Sequence, residues 1–270
     1  MSDTSDLATR DAWDDDHSES ENDRSRMSFL EHLDELRRRI IYSLYAIAAG
    51  CAVSFWFLND LYEAMTKYFS QFGGKLIYNG LTDGFVLQMK FGLLVGFLIA
   101  SPFVFHQLWL FVAPGLYARE KRVVLPFVIS ATTLFAAGAW FAHRMAFPGM
   151  FQFFASYENE HVSFFPTIKE AATFYIWMVI GFGLVFQMPI LVFFLARYGI
   201  TTWRFMLKNF KYAVLIAFIV AAVVTPSGDP VNQTIWAAPM IVLYAFSIGV
   251  AWLAGKNRAK AVDRAQNNQA

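Results

Sequence analysis

Two short stretches of this chain gather side chains able to recognise a charge. The first, Ser28 to Arg39, reads Ser-Phe-Leu-Glu-His-Leu-Asp-Glu-Leu-Arg-Arg-Arg and sets Glu31, Asp34 and Glu35 just ahead of Arg37, Arg38 and Arg39. The second, Phe111 to Arg122, ends an apolar run at Pro114 and Gly115 and then places Glu120 between Arg119 and Lys121. A carboxylate is the natural acceptor for a planar guanidinium, which matches it in a way a lysine ammonium does not. Glu120 therefore has two readings. It is a solvated loop acid neutralised by its neighbours, or it is a receptor for a cationic ligand at a membrane surface. Glu35 has the same two: support for Arg39 at the i, i+4 spacing, or a share in that cationic site. Catalytic patterns are missing, with no HExxH, no GxSxG partnered by His and Asp, and no phosphate loop. The lone cysteine, Cys51, lies in an apolar run and excludes an intrachain disulfide or a CxxC site. The expectation is a protein that is not an enzyme, with no cofactor, no metal and no nucleic-acid partner.

The elements that hold these residues are set by the solvent they face. The chain is 57% hydrophobic and only 16% charged, with 29 Phe and 8 Trp, and its mean hydropathy is +0.40, a composition that places it among polytopic membrane proteins. In lipid each apolar run must close its own backbone hydrogen bonds, so all are expected as helices. Six are expected, at about Ile40–Leu58, Val86–Val112, Val123–Phe147, Ala171–Leu195, Tyr212–Val224 and Ile235–Leu253. Pro102 and Pro189 are the expected kinks. The fifth run, at ~1.5 Å per residue, reaches only about 20 Å of a ~30 Å hydrocarbon core.

Basic residues set the orientation. Fourteen Lys or Arg fall on the side of Arg37 and Arg119, against Lys67, Lys75 and Lys169 on the other. Both termini are thus expected in the cytoplasm. The domain reading is a disordered acidic tail at 1–26, with nine Asp or Glu, a cytoplasmic amphipathic helix at 27–39, a six-helix transmembrane domain at 40–254 and a cytoplasmic tail at 255–270. Loops are expected at 59–85, 148–170 and 225–234 on the outer side. Inside the spans few polar groups occur. Lys90 and Arg144 are expected to snorkel to headgroups, and Glu170 to cap the fourth span. Gln187 falls mid-span, where an amide bonds a neighbouring helix or an inserted chain.

The runs Phe29 to Arg39, Gln107 to Tyr117 with Glu120-Lys121-Arg122 after it, and Thr225-Pro226 before the last span resemble the TatC family, the core subunit of the twin-arginine protein translocase. The resemblance extends from about Phe29 to Leu253. It implies an all-α protein of six transmembrane helices in a glove-like concave arrangement, with both termini in the cytoplasm, multi-pass in the bacterial cytoplasmic membrane. It implies binding of twin-arginine signal peptides on folded substrates, through Glu120 and Glu35 with Arg37 and Phe111 in the same patch. Gln187 matches a polar position, often glutamate in the family, that contacts partner helices or the signal's apolar part. Asp229 resembles an acid of the last outer loop. The implied partners are the small single-span subunits TatA and TatB, the lipid bilayer and further copies of this chain. Two other classes stand beside this one: a secondary transporter for a small solute, and a structural membrane scaffold.

Overall fold

In the computed structural model the described residues are 31–72, 77–112, 124–161, 164, 166–197, 199–224 and 230–267. Nearly all are helical, and a single isolated bridge between Ile77 and Thr167 is the extended pairing among them. Ten helices follow in chain order: α1 (Glu31–Trp56), α2 (Leu58–Ser70), α3 (Asp83–Val112), α4 (Val124–Phe141), α5 (Phe147–Ala155), α6 (Ile168–Val185), α7 (Met188–Arg197), α8 (Trp203–Lys208), α9 (Phe210–Val224) and α10 (Pro230–Asn267). Among the described residues five stretches are long and apolar enough to cross a membrane: Glu31–Trp56, Asp83–Phe111, Leu125–Ala155, Ile168–Arg197 and Pro230–Leu253. A sixth, Phe210–Val223, is apolar but shorter, as its sequence indicates.

Where the spans depart from plain helix, proline accounts for it. The fourth span turns at Phe186 and Gln187 between α6 and α7, because Pro189 has no N–H to give the carbonyl of Val185 and its ring crowds that carbonyl. The chain closes the gap locally, with the Gln187 amide donating to Leu184 O at 3.0 Å and that of Leu191 to Gln187 O at 3.0 Å. In the third span a π turn at Ala142–Ala146 precedes Pro148, which lies in the first turn of α5. Pro102, by contrast, sits inside an unbroken α3.

Two segments expected as outer loops contain helices. α2 occupies Leu58–Ser70 and turns Phe69 into the main core, where it is 1% exposed. α5 extends the third span and buries Phe147, Met150 and Phe151. Neither segment reaches spanning length, so hydropathy over a span-sized window does not separate it from a loop. With Leu87 and Phe91 of α3, Tyr175 and Phe182 of α6 and Trp236 of α10, they form an aromatic core at one end of the molecule. Trp236 stacks on Phe182 with ring centroids 4.5 Å apart. The cap of α6 is the one its sequence suggests: Thr167 Oγ1 accepts from the Glu170 amide at 3.2 Å and Glu170 Oε2 from the Thr167 amide at 3.4 Å. Lys90 is tied inward rather than reaching for headgroups, its Nζ donating to Thr173 Oγ1 of α6 at 2.9 Å. α7 ends in the pairing of a Schellman motif, with Gly199 at φ 78° donating to Ala196 O and Ile200 to Leu195 O.

α1 and α3 run antiparallel in backbone contact. A Cβ added to Gly50 would meet Gly96 O at 2.3 Å, one added to Gly96 would meet Cys51 Cα at 2.6 Å, and one added to Gly92 would meet the Phe55 ring at 2.2 Å. Small residues at a crossing let helices that lack a hydrophobic drive toward each other gain van der Waals contact. Gly96→Val is expected to destabilise the protein by about 1–3 kcal/mol through overpacking. Thermal unfolding in detergent should show this loss, with Gly249→Ala, where a Cβ meets nothing within 4 Å, close to unchanged.

Candidate functional site

The same antiparallel register brings the first turns of α1 against the last turns of α3. His32 stacks on Phe111, with centroids 4.5 Å apart and planes 20° from parallel. Two turns further along α1, Arg39 donates from Nε to Glu35 Oε1 at 2.7 Å, and from Nη2 to the same oxygen. Its remaining Nη1 donates to Gln107 Oε1 on α3 at 3.2 Å. Gln107 precedes Phe111 by one helical turn, so both face α1. Glu35 and Arg39 are partly exposed at 28% and 25% of their side-chain surface, whereas Gln107 is buried at 5%. Arg37 and Arg38 are exposed. α1 passes from the amphipathic stretch into its apolar run without a break.

Of the residues singled out from sequence, Glu35 and Phe111 meet here, and Arg37 lies on the same end of α1 with its side chain in the open. Glu120 and Asp229 lie outside the described residues. Gln187 belongs to a different place: its Nε2 donates to Ala131 O of α4 at 3.1 Å and to Gly183 O at 3.4 Å. That bond spans two helices beside the Pro189 break and fills part of the hydrogen bonding the break leaves open. Sequence reasoning passed over His32, Arg39 and Gln107. Gln107 has a readable signal, an amide inside an apolar span one turn from an aromatic; for Arg39 the sequence shows the i, i+4 pairing with Glu35 and the topology charge, and not the bond to Gln107.

The opposite end offers different chemistry. A cavity of about 1190 Å³ is lined by Phe151, Phe154, Phe174 and Trp177, with Lys169 and Asp83 beside it at 3.9 Å. It is an apolar groove and does not coincide with the carboxylate cluster. Nearby, Tyr68 stacks on His143 at 4.2 Å, and burial pushes the Tyr68 hydroxyl upward. Tyr78 is pushed up to about 12, by burial first and then by its hydrogen bond to Tyr62. Among the described residues no three His, Cys, Asp or Glu side chains gather as metal ligands.

Long apolar helices and proline-broken spans define a polytopic α-helical membrane protein, with a carboxylate–guanidinium–amide chain at one end. Residues 31–239 match the family model described as Sec-independent protein translocase protein (TatC). The Sec-independent protein translocase protein TatC of Koribacter versatilis is 44% identical over 241 residues, 87% of this chain and 89% of that protein. Its counterpart in Desulforapulum autotrophicum is 37% identical over 249 residues, 91% of this chain and 92% of that protein. A crystal structure of the twin-arginine translocase receptor TatC superposes with a TM-score of 0.73 at 31% identity, covering 83% of this chain and 99% of that one. The chain belongs to the TatC family. Its work is protein translocation and not catalysis.

Gln187→Leu should destabilise the protein by about 0.6 kcal/mol and at most roughly 1.7, the range for hydrogen bonds between membrane helices. Equilibrium unfolding in detergent measures it, and a value near zero would mean that the bond to Ala131 is replaced locally.

Proposed function

We propose that this chain is the signal-peptide receptor of a twin-arginine translocase, and that the α1–α3 end is where the signal's paired arginines dock. The observation that carries this is Glu35: a half-buried carboxylate beside the stacked Phe111 and His32, at the one end of the described structure where acid, guanidinium and amide meet. In this reading Glu120 supplies the second carboxylate, with Arg37 in the same patch. At a fully wet surface each guanidinium–carboxylate pair would contribute only about 0.2–1 kcal/mol. Partial desolvation against Phe111 raises a close charge coupling to about 1.5 kcal/mol or more. The many basic residues around the site repel a cationic peptide everywhere except at the acids, which sets its register.

The rest of the proposal follows from charge and hydropathy. α9 is the short fifth of six spans, both termini lie in the cytoplasm, and the membrane is the bacterial cytoplasmic one. The acidic stretch at 1–26, the amphipathic helix at 27–39 and the tail at 255–270 lie on the cytoplasmic side of the 40–254 transmembrane domain. The apolar part of the signal follows toward Gln187, and the single-span subunits TatA and TatB assemble with the chain and with further copies of it. Asp229 belongs to the last outer loop.

The test exchanges charges. Glu120→Arg should lose export of a reporter whose signal carries Arg-Arg and regain export of one carrying Glu-Arg, whereas Glu35→Ala should weaken Arg-Arg export without any such exchange. If both reporters behave in Glu120→Arg as in the parent protein, Glu120 is a solvated loop acid and the receptor assignment falls.

A further inference from the structure

Glu35 is not a vacant carboxylate. Both contacts from Arg39, through Nε and Nη2, fall on Oε1, and Arg39 spends its remaining Nη1 on Gln107 Oε1 of α3. Two consequences follow from that partition. An exposed i, i+4 ion pair on one helix has no fixed geometry, because two flexible side chains gain little by holding one arrangement. Here the guanidinium is held at a third point by an amide that is 5% exposed and belongs to another helix. A guanidinium gripped at both ends holds in place the one oxygen it grips. The second consequence concerns the other oxygen. Each carboxylate oxygen has two acceptor sites, and those of Oε1 are taken by Nε and Nη2. Oε2 has no partner among the described residues, and with 28% of the Glu35 side chain exposed it is the atom a docking group can reach.

We propose that Gln107 and Arg39 are positioning residues for signal recognition: Gln107 anchors the Arg39 guanidinium, and Arg39 holds Oε1 of Glu35 and so makes it an acceptor that offers Oε2 alone. This rests on the reading of Glu35 as an acceptor for a signal arginine. That arginine reaches Glu35 through Oε2 alone, and a two-pronged grip across both oxygens is closed to it. The chain Gln107–Arg39–Glu35 thereby places the binding oxygen relative to α3 and so relative to Phe111, one turn beyond Gln107. A carboxylate on α1 alone would swing with its own rotamers. Tying it to α3 makes the recognition distance a property of the helix packing.

The experiment measures binding of a labelled Arg-Arg signal peptide, and its Lys-Lys counterpart, to the full-length chain in lipid vesicles. Gln107→Leu keeps the volume and removes the acceptor for Nη1. It should raise the Kd for the Arg-Arg peptide on the order of tenfold, the usual scale for loss of an orienting partner behind a binding group, with thermal unfolding unchanged. Gln107→Glu, which still accepts from Arg39, should restore binding. Arg39→Lys keeps the charge but cannot hold Glu35 and Gln107 together, and should weaken binding as Gln107→Leu does; it decides the matter if Gln107→Leu fails to fold. Parent-like binding in a folded Gln107→Leu or in Arg39→Lys, or failure of Gln107→Glu to restore it, overturns the positioning role. The receptor reading is checked separately by Glu35→Ala. If that variant binds the Arg-Arg peptide as tightly as the parent, or if the parent does not prefer Arg-Arg to Lys-Lys, the receptor reading fails and the positioning role with it.

Discussion

The close approach of α1 and α3 is the constraint on which the proposed recognition surface depends. Where Gly50 faces Gly96, no side chain separates the two backbones, and the helices settle into one antiparallel register. From that crossing toward the start of α1, residues pair in step: Arg39 with Gln107, then His32 with Phe111. A displacement of one residue along either helix would rotate its side chains by about 100° and take Gln107 away from Arg39. The polar contacts add direction to this arrangement, but the absence of a Cβ at the crossing makes it possible. In lipid, where apolar surface does not drive helices together, such contact is a main source of association.

The two ends of the molecule divide their tasks. At the end where α2 and α5 pack, rings from five helices interlock around Phe69, Phe147, Tyr175 and Phe182. This mass of aromatic contact holds α3, α6 and α10 together. The other end carries partly exposed charge beside a smaller ring cluster at Trp109, Phe127 and Phe194. The proposed recognition surface would have to present acceptors to an incoming peptide, so it cannot be as dry as a core, and the packed opposite end carries the burial in its place. Between the two, the α6–α7 turn keeps its hydrogen bonds through Gln187 and Ala131, so an irregular backbone is tolerated at membrane depth because a polar side chain and a neighbouring helix satisfy it.

Much of this was legible in the residues. Apolar runs named the spanning helices, Pro189 marked the turn in the fourth, Glu170 announced the start of α6, and the length of the fifth run foretold a short helix. The helices α2 and α5 were harder to see. Each is shorter than a span, and whether an amphipathic segment of that length lies in a loop or folds back into a core depends on what surface is available to cover. Lys90 was misjudged for a related reason: a long cationic side chain near a helix end has two outlets, headgroups or a polar neighbour, and Thr173 of a distant segment supplies the nearer one.

For the recognition surface the division is sharper. Sequence by itself determined the class of the protein, its helices and the residue types that meet a guanidinium, since hydropathy, proline and charge act through local chemistry. Only the tertiary structure decided that Glu35 shares Arg39 with Gln107, 68 positions apart in the Arg39–Gln107 contact, and that one carboxylate oxygen is occupied while the other is open. That distinction rests on the register of two helices, and register is set by the shape of their contact at Gly50 and Gly96. No pattern within either helix records it.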